Sequence, residues 1–258
     1  MASLVIASPT AGSGKSMIAA ALARKLAGAG HQITEAPTGE MQLAKEPDVR
    51  VIVVSTPLTK PDELSEFMSG ANNAVAMLNR VSPRRVAPVR KSYEDAGLRI
   101  IGVVPEDKVL ASPSIGQVAE ALSAEGVFIE ENLEKPIDTV IIASIAADPG
   151  QTYFNFTQAN AVIIRSDKPD LQLAALNAGC STMILTGGLP VLSYVLERVD
   201  DDEIPLLRTK LDTKETVSAI EGLFGAGAFS GAPEKLRRLD ELMADVNLDM
   251  LLQPATAS

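Results

Sequence analysis

The residues best suited to chemistry in this chain lie in one short run, Ser8-Pro9-Thr10-Ala11-Gly12-Ser13-Gly14-Lys15-Ser16. The run follows the apolar stretch 4–7 and precedes an alanine-rich segment, so it joins a predicted strand to a predicted helix. In that context the backbone N–H groups of a Gly-Lys-Ser turn cradle phosphate oxygens at the helix N-terminus, where the helix dipole also favours negative charge. Lys15 would reach the β- and γ-phosphate oxygens, and the Ser16 hydroxyl would bind Mg²⁺.

One position departs from the pattern G-x-x-x-x-G-K-[ST], because Pro9 stands where the first glycine is expected. A plain strand-to-helix turn is the alternative interpretation. The order of strand, Gly-Lys-Ser and helix favours a nucleotide-type phosphate site. The residues predicted to bind the nucleotide in this loop are Thr10, Ala11, Gly12, Ser13, Gly14, Lys15, Ser16 and Met17.

Composition excludes several classes of protein. The 258 residues leave room for one large or two small domains, and 46% of them are hydrophobic against 22% charged. No apolar run reaches the ~18 residues of a membrane-spanning helix, and the N-terminus leads directly into the first strand. We therefore expect neither a membrane segment nor a signal peptide. The single cysteine, Cys180, excludes an internal disulfide and fits a reducing cytoplasm.

Charge and metal-binding residues exclude two further classes. The net charge is −10, and the chain has no basic stripe and no tryptophan, so nucleic-acid binding is not expected. With one histidine and one cysteine the chain cannot build a Cys/His zinc site. Cys180 is expected to be a small core residue rather than a reactive thiol.

Alternating apolar strands and helices predict a parallel α/β sheet in the first half of the chain. The apolar runs 51–54 and 74–78 are typical of strands that are buried on both faces. Such sheets bind ligands beyond the carboxyl ends of their strands, where the phosphate loop, Asn79 and Pro105 would all lie. The predicted strands are 4–7, 31–34, 50–55, 74–78 and 99–104, and the predicted helices are 16–30, 62–69, 84–96 and 114–124.

A second alternating series follows the polar stretch 125–136, which we interpret as a domain boundary. Residues 233–252 then place apolar side chains mainly on one helix face, and the pair Arg237-Arg238 is expected to face solvent. The predicted domains are therefore 1–125 and 136–225, followed by an amphipathic helix at 232–252. The strands of the second series are 139–143, 161–165, 182–185 and 205–207, and its helices lie near 150–158, 169–178, 190–199 and 213–223.

Two sets of motifs, in a fixed order, resemble known families. The first half is similar to the dethiobiotin-synthetase-like, P-loop N-terminal region of long phosphotransacetylases, on the pieces 6–8, 13–16, 78–81, 101–107 and 110–111. The second half resembles the DRTGG domain that follows it in those proteins, on the pieces 165–170, 185–188 and 246–249. The acyltransferase domain of those proteins has no counterpart in this sequence, so we expect that the chain does not make acetyl phosphate by itself.

This resemblance implies an α/β fold in which a parallel-sheet, P-loop NTPase-like domain is followed by a second, smaller α/β DRTGG domain. It also implies an adenine nucleotide, ATP, bound with Mg²⁺. The side-chain amide of Asn79 would lie against adenine, and Pro105 and its neighbours would complete the base pocket. Ordinary turn chemistry is the alternative role for an asparagine at a strand end.

Two departures from the related enzymes argue against phosphoryl transfer. Relatives carry Lys-Pro after the second strand, whereas this chain has Ala36-Pro37, and the interval 39–49 that holds their substrate loops and an acidic strand end is short. Losing a cation and a metal-binding carboxylate would cost about 3–4 kcal/mol of transition-state stabilisation each. Glu35 or Glu40 could replace the acid, and the alternative is that both are exposed loop carboxylates.

The second half offers a further candidate site. Thr186-Gly187-Gly188 lies between a predicted strand and a predicted helix, so its N–H groups could hold an anion. Asp167 and Asp170 head another helix, where we expect them to act as N-caps, and a part in the candidate site is the alternative. In related proteins the DRTGG domain is a dimerising regulatory module, and some relatives bind adenine nucleotides between subunits. The resemblance therefore implies a homodimer or higher homo-oligomer.

Three functions fit these features. The first is an ATP-binding regulatory protein, non-catalytic or weakly hydrolytic, that signals through the DRTGG domain to a partner such as a separate acyltransferase. The second is an ATP-dependent carboxylate-activating ligase related to dethiobiotin synthetase and the cobyrinate amidation enzymes, for which the short 39–49 connection leaves no obvious substrate pocket. The third is an oligomeric scaffold with a vestigial P-loop, which Pro9 favours.

Overall fold

A computed structural model describes residues 3–27, 31–41, 49–71, 73–127, 130–143, 161–226 and 229–252. The chain forms two compact units, of which the first comprises Met1–Leu110 and Lys235–Ser258 and the second Ala111–Glu234. The second unit is thus inserted in the sequence of the first. None of the helices in these described ranges is long and apolar enough to cross a membrane.

The first unit is built on a five-stranded parallel sheet in the order β2-β1-β3-β4-β5. Its central strands are continuous apolar runs that are buried on both faces, as a parallel sheet covered by helices requires. The predicted strands of this half are all present, with shifted ends. Their bounds are β1 Ser3–Ala7, β2 Gln32–Glu35, β3 Val49–Ser55, β4 Ala74–Val81 and β5 Ile100–Pro105.

Helices cover this sheet and place the strand ends. Leu64 and Tyr93, from the two helices that follow β3 and β4, pack with strand side chains such as Val53 in one buried cluster. Pro61 begins the first of these helices, where its missing N–H costs nothing, and the Glu63 side chain accepts a hydrogen bond from the Lys60 N–H at 3.1 Å. The helices are α1 Lys15–Lys25, Pro61–Met68, Val86–Asp95 after a 3₁₀ turn at Pro83–Arg85, and Lys108–Ala111.

The C-terminal segment differs from the predicted continuous helix over 232–252. A helix spans Pro233–Leu242 and a second, short one spans Asp249–Leu252, with non-helical chain between them. There the N–H of Asn247 donates to the Ile101 carbonyl of β5 at 2.8 Å. This hydrogen bond satisfies a backbone carbonyl of β5, the last strand in the sheet order, with an N–H that a continuous helix would use for its own bonds.

The sequence predicts that Arg238 faces solvent. In the structure Arg238, which lies in the helix Pro233–Leu242, is instead paired with carboxylates. Its guanidinium donates to the Asp107 carboxylate at 2.8 Å and to Glu241 at 2.9 Å, and these bonds raise the pKa of Arg238. The second Asp107 oxygen accepts from the N–H groups of Val109 and Leu110. Asp107 therefore caps one short helix and anchors another.

The second unit contains a five-stranded sheet in the order β6-β10-β9-β8-β7, parallel except for β6, which pairs antiparallel with β10. The strands are β6 Glu125–Val127, β7 Val140–Ile142, β8 Ala161–Arg165, β9 Met183–Thr186 and β10 Leu206–Arg208. The helices are Ile115–Ala121, Pro169–Asn177, Ser193–Asp201 and Thr213–Glu221, and a 3₁₀ turn spans Glu130–Asn132.

Two features of this unit depart from the sequence prediction. The strand β6 lies within the polar stretch 125–136 that was interpreted as a boundary, whereas the chain changes units at Leu110–Ala111. A three-residue strand that contains Glu125 and Gly126 carries no apolar signal, and Arg208 of β10 pairs with Glu125 to hold it. The helix predicted near 150–158 lies outside the described residues.

Cys180 is a core residue, as predicted. Its side chain is buried in the cluster formed by the strands and two helices of the second unit. Burial raises the pKa of the Cys180 thiol to about 12, and the nearby Asp202 carboxylate adds to that shift. The thiol is therefore neutral at physiological pH, as is typical of a buried structural cysteine.

The contact between β5 and the C-terminal segment generates a stability prediction. A Cβ at Gly102 would lie 2.7 Å from Cγ2 of Val246, so we expect Gly102→Ala to destabilise the protein by about 1–3 kcal/mol through overpacking. The measurement is the free energy of unfolding in urea, followed by circular dichroism.

A Val246→Ala background is the matched control for Gly102→Ala. Removing both Val246 methyl groups removes the overlap, so in that background Gly102→Ala should be neutral or slightly stabilising, as alanine normally is relative to glycine in a strand. An equal cost of Gly102→Ala in both backgrounds would show that Val246 does not pack there.

Candidate functional site

The loop between β1 and α1 has the backbone conformation that its glycines predict. Gly12 and Gly14 have φ of +73° and +83°, in the left-handed region that favours glycine. Gly14 is the N-cap of α1, which has no side-chain cap and no acidic residue in its first turn. The first N–H groups of α1 are thus left without a side chain that competes for them, as an anion at a helix N-terminus requires.

Asn79, near the end of β4, holds this loop in place from the side of the sheet. Its side-chain amide is 2% exposed and donates to the Ser13 carbonyl at 2.8 Å. The amide also packs so closely on Gly14 that a Cβ there would lie 2.2 Å from Asn79 Nδ2. At the adjacent Arg80, φ is +57° and the pairing of β4 with β5 is irregular, so strain accompanies the turn that presents Asn79.

Lys15 and the end of β2 lie together on the other side of the loop. The Lys15 ammonium donates a hydrogen bond to the Ala36 carbonyl. Ala36 is itself fixed, because its N–H donates to the Ile6 carbonyl of β1 at 2.9 Å and its side chain packs in the core. The position where the related enzymes were expected to carry a lysine thus contributes a methyl group to the core and a carbonyl to Lys15.

Ser16 is paired with a carboxylate. Its hydroxyl donates to Glu35 Oε2 at 2.8 Å, and both side chains are exposed. A serine hydroxyl and a carboxylate are oxygen ligands of the kind that Mg²⁺ prefers, and the remaining positions are usually filled by phosphates and water. The donor set therefore fits the Mg²⁺ predicted at Ser16. Glu40 lies in the exposed turn that follows Pro37.

A cavity of about 970 Å³ opens beside the loop at the carboxyl edge of the sheet. The charged residues that line it are Glu63, Glu66, Glu106, Arg80 and Arg85. The loop contributes its first half to the wall. The remaining wall includes the segment 56–59 after β3, the end of β4 with the next residue at 80–82, and the side chains of Phe67 and Val89.

The structure brings most of the predicted site residues to this edge of the sheet. Thr10, Ala11 and Gly12 line the cavity and are exposed, whereas Ser13 and Met17 are buried under the loop. Pro105 ends β5 and pairs in register with Val81 of the cavity wall. Asn79 contacts the loop backbone, so the adenine contact predicted for its amide stays a prediction beside this structural one.

Sequence reasoning missed the segment 56–59 of the cavity wall. Leu58 is 92% exposed there, and the Thr59 carbonyl accepts a hydrogen bond from the buried Tyr93 hydroxyl at 2.5 Å. Burial raises the pKa of Tyr93, and the Glu63 carboxylate adds to the shift, so the phenol keeps its proton for this bond. The position of the segment directly after a buried strand was the signal that could have found it.

The candidate anion site of the second unit is not supported by the structure. The helix after Gly188 begins only at Ser193, and the Gly187 N–H already donates to the Leu211 carbonyl at 2.9 Å. Gly188 packs against Lys210 so closely that a Cβ added at Gly188 would lie 3.2 Å from Lys210 Cγ. These glycines therefore serve a tight turn between β9 and the chain after β10.

Asp167 does not cap the helix that follows it. The N-cap is Lys168, without a side-chain cap bond, and Asp167 instead accepts hydrogen bonds from the Arg165 guanidinium, which lowers the pKa of Asp167. Asp170 lies in the first turn of that helix, where its negative charge interacts favourably with the dipole.

Comparison with known proteins identifies the second half. The DRTGG domain family matches residues 117–223, so the chain contains a DRTGG domain, whose match begins N-terminal to the predicted start at 136. A phosphate acetyltransferase from Nitratidesulfovibrio vulgaris is 28% identical over 203 residues, which cover 72% of this chain and 27% of that protein. The chain thus spans about a quarter of the length of this curated relative.

Two solved structures show weaker likeness. One contains the CBS and DRTGG domains of the regulatory region of Clostridium perfringens pyrophosphatase, complexed with the activator diadenosine tetraphosphate. It is 15% identical with a TM-score of 0.39, and the match covers 66% of this chain and 72% of that one. The other is a 5-methylthioribose transporter solute-binding protein from Thermotoga lettingae, at 15% identity, a TM-score of 0.20 and coverage of 93% and 96%. These TM-scores are too low to assign a fold or a function.

The packing of Asn79 on Gly14 generates a prediction. We expect Gly14→Ala to lower the urea midpoint of unfolding more than Gly97→Ala does. Both glycines have a φ just above +80°, so each alanine has a similar backbone cost of about 1–2 kcal/mol. Only at Gly14 would the new Cβ also push Asn79 off the Ser13 carbonyl, since no atom lies within 4 Å of a Cβ at Gly97. Equal midpoints for the two variants would contradict this packing.

Proposed function

We propose that this chain is an ATP-binding regulatory protein of the phosphotransacetylase N-terminal type that signals through an oligomerising DRTGG domain. In this proposal the first unit is a P-loop, dethiobiotin-synthetase-like domain that binds ATP with Mg²⁺ and turns it over slowly or not at all. The protein acts in the cytoplasm as a homodimer or higher homo-oligomer. The observation that carries the proposal is the Gly14-Lys15-Ser16 turn between a buried parallel strand and α1.

Three properties of the loop support nucleotide binding. Its glycines have the backbone conformation that turns N–H groups inward, Lys15 lies beside it, and Ser16 has a carboxylate neighbour. The loop is also held before any ligand arrives, by Asn79 at the Ser13 carbonyl. A preorganised site does not lose binding free energy to ordering a loop.

The regulatory part of the proposal draws on the DRTGG domain at 117–223 and on the similarity to a phosphate acetyltransferase over a quarter of that protein's length. The acetyltransferase reaction of the relative is therefore not assigned to this chain. A separate acyltransferase or another metabolic enzyme is the partner that we propose for the nucleotide signal.

Low turnover follows from the charges at the loop. Phosphoryl transfer needs positive charge around the γ-phosphate in the transition state. At the end of β2 the candidate position holds Ala36, whose side chain is in the core. Lys15 and the α1 dipole are sufficient to hold a ground-state phosphate, whereas a missing electrostatic group costs about 3–4 kcal/mol in the transition state.

The cavity beside the loop favours a second candidate, the ATP-dependent carboxylate-activating ligase. The connection 39–49 is short, but the segment after β3 and the end of β4 line a cavity of about 970 Å³ next to the loop. Arg80 and Arg85 on its wall are cations of the type that bind carboxylates. This candidate differs from the first in requiring turnover that depends on a second substrate.

Calorimetry with ATP and Mg²⁺ tests the first candidate. We expect saturable binding to the wild-type chain and at least tenfold weaker binding to Lys15→Ala, because the ammonium is the cation beside the phosphate loop. Lys25→Ala, an exposed lysine at the other end of α1, is the matched control and should bind like the wild type. No binding to the wild type, or equal binding to Lys15→Ala, would refute the proposal.

Release of ADP separates the two candidates. With ATP and Mg²⁺ alone, and with short aliphatic amino acids or bicarbonate added, we expect the same slow rate from the regulatory protein. A more than tenfold rise with any of these compounds, which is lost in Arg85→Ala, would establish the ligase instead, because Arg85 lies on the cavity wall and is not a residue of the loop. Lys91→Ala, an exposed position on the following helix, is the control.

A further inference from the structure

The contact between Ser16 and Glu35 joins two elements that are far apart in sequence. Ser16 lies in the first turn of α1, and Glu35 is the last residue of β2. Their side-chain oxygens are 2.8 Å apart. Both side chains are exposed beside the phosphate loop, where a cation bound to the phosphates of a ligand could reach them.

The position of Glu35 is set by the sheet and not by a surface loop. The β1–β2 register pairs Ile6 with Glu35, and the next residue, Ala36, donates its N–H to the Ile6 carbonyl at 2.9 Å. Ala36 is tied once more by Lys15. The backbone around Glu35 is therefore held against the end of β1, the strand that leads into the phosphate loop.

The spacing of the two oxygens fits adjacent ligands of one small cation. Mg²⁺ holds oxygens in an octahedron at about 2.0–2.1 Å, which places neighbouring ligands about 2.9 Å apart. The Ser16–Glu35 separation is 2.8 Å. The two side chains can thus bind one cation with little movement. The hydrogen bond between them is then replaced by two metal–oxygen bonds.

Two protein oxygens cannot complete an octahedral shell. Within the part of the chain that the structure describes, no group of three or more His, Cys, Asp or Glu residues could hold a metal ion. The remaining ligands must come from water and from a phosphate bound in the adjacent loop. Mg²⁺ characteristically binds in this way, through one or two carboxylates together with substrate phosphates.

The geometry points to Glu35 as the carboxylate that binds, with Ser16, the divalent cation of a nucleotide held in the phosphate loop. This inference rests on the proposed function, because the phosphates complete the site. It also decides between the two glutamates that the sequence left open, since Glu40 lies in the exposed turn beyond Pro37. The protein then recognises the metal-bound nucleotide and distinguishes it from the free one.

The test compares nucleotide affinity with and without metal. Calorimetry with ATP in EDTA and in excess Mg²⁺ gives the gain in affinity that is due to the metal. For the wild type we expect a clear gain, and for Glu35→Gln a gain about tenfold smaller, of the size that altered metal-site groups cause. In EDTA, Glu35→Gln should bind ATP as tightly as the wild type or more tightly, because a negative charge next to the phosphates is gone.

The two affinities separate the metal role from a structural one. A structural role for Glu35 would weaken binding in EDTA and in Mg²⁺ alike, and that outcome would overturn the inference. An unchanged metal gain in Glu35→Gln would overturn it as well. Glu40→Gln removes the same charge five residues away and should behave like the wild type. Failure of the proposed function looks different, because then the wild type binds no ATP in either buffer.

Paramagnetic resonance of Mn²⁺ gives a readout that does not depend on calorimetry. With ATP present, we expect the wild type to remove free Mn²⁺ from solution with one site per chain, and Glu35→Gln to do so about tenfold more weakly. Without ATP, neither protein should bind Mn²⁺ at the same concentration. Tight Mn²⁺ binding to the wild type without a nucleotide would contradict a site that needs phosphate ligands.

Discussion

The candidate site depends on how residues from β2 and β4 hold the turn from β1 into α1. On one side, the amide of Asn79 at the end of β4 fixes the Ser13 carbonyl. On the other side, the end of β2 accepts a hydrogen bond from Lys15. Glycines at positive φ have many conformations in a free peptide, so the turn has one shape only because the sheet supplies these partners. On the proposed function, the Gly-Lys-Ser motif supplies the groups that bind phosphate, and the partners from β2 and β4 position them.

The sequence predicts the fold best where burial is on both faces. The apolar runs of β3 and β4 permit few structures other than a parallel strand, and both were predicted. The strand β6 was missed because its three residues include Glu125 and Gly126 and it is held by pairing with β10 rather than by its own hydrophobicity. At the C-terminus, Val246 and Leu248 fit a helical and an extended pattern equally well. The hydrogen bond from Asn247 to Ile101 decides between them, and no local signal reports it.

The site residues also divide into those that a local sequence motif predicts and those whose position depends on contacts with distant residues. The loop residues were predicted from the motif alone. The role of Glu35 was left open against Glu40, since the sequence reveals neither where β2 ends nor its register on β1, and these place Glu35 on the strand and Glu40 in the turn after it. In the second unit the strand before Thr186-Gly187-Gly188 was predicted, but the chain after Gly188 stays non-helical through Leu192 and the helix begins at Ser193, later than predicted. A Gly-Gly pair next to a predicted helix is therefore a weaker indicator than Gly-Lys-Ser, because a shift of a few residues in the helix start removes the N–H groups.

On the proposed function, the donors and charges at the loop account for nucleotide binding without rapid turnover. A lysine ammonium has three N–H donors, so Lys15 can keep its bond to Ala36 and still donate to a phosphate. A nucleotide would therefore cost the end of β2 no hydrogen bond. Chemistry makes a different demand, because charge that develops on a transferring phosphoryl group must be met by groups that act more strongly in the transition state than in the ground state. The Ala36 side chain is in the core and supplies none. On the proposed function, the DRTGG domain then responds to whether a nucleotide is bound in the loop, and not to the rate at which the nucleotide is hydrolysed.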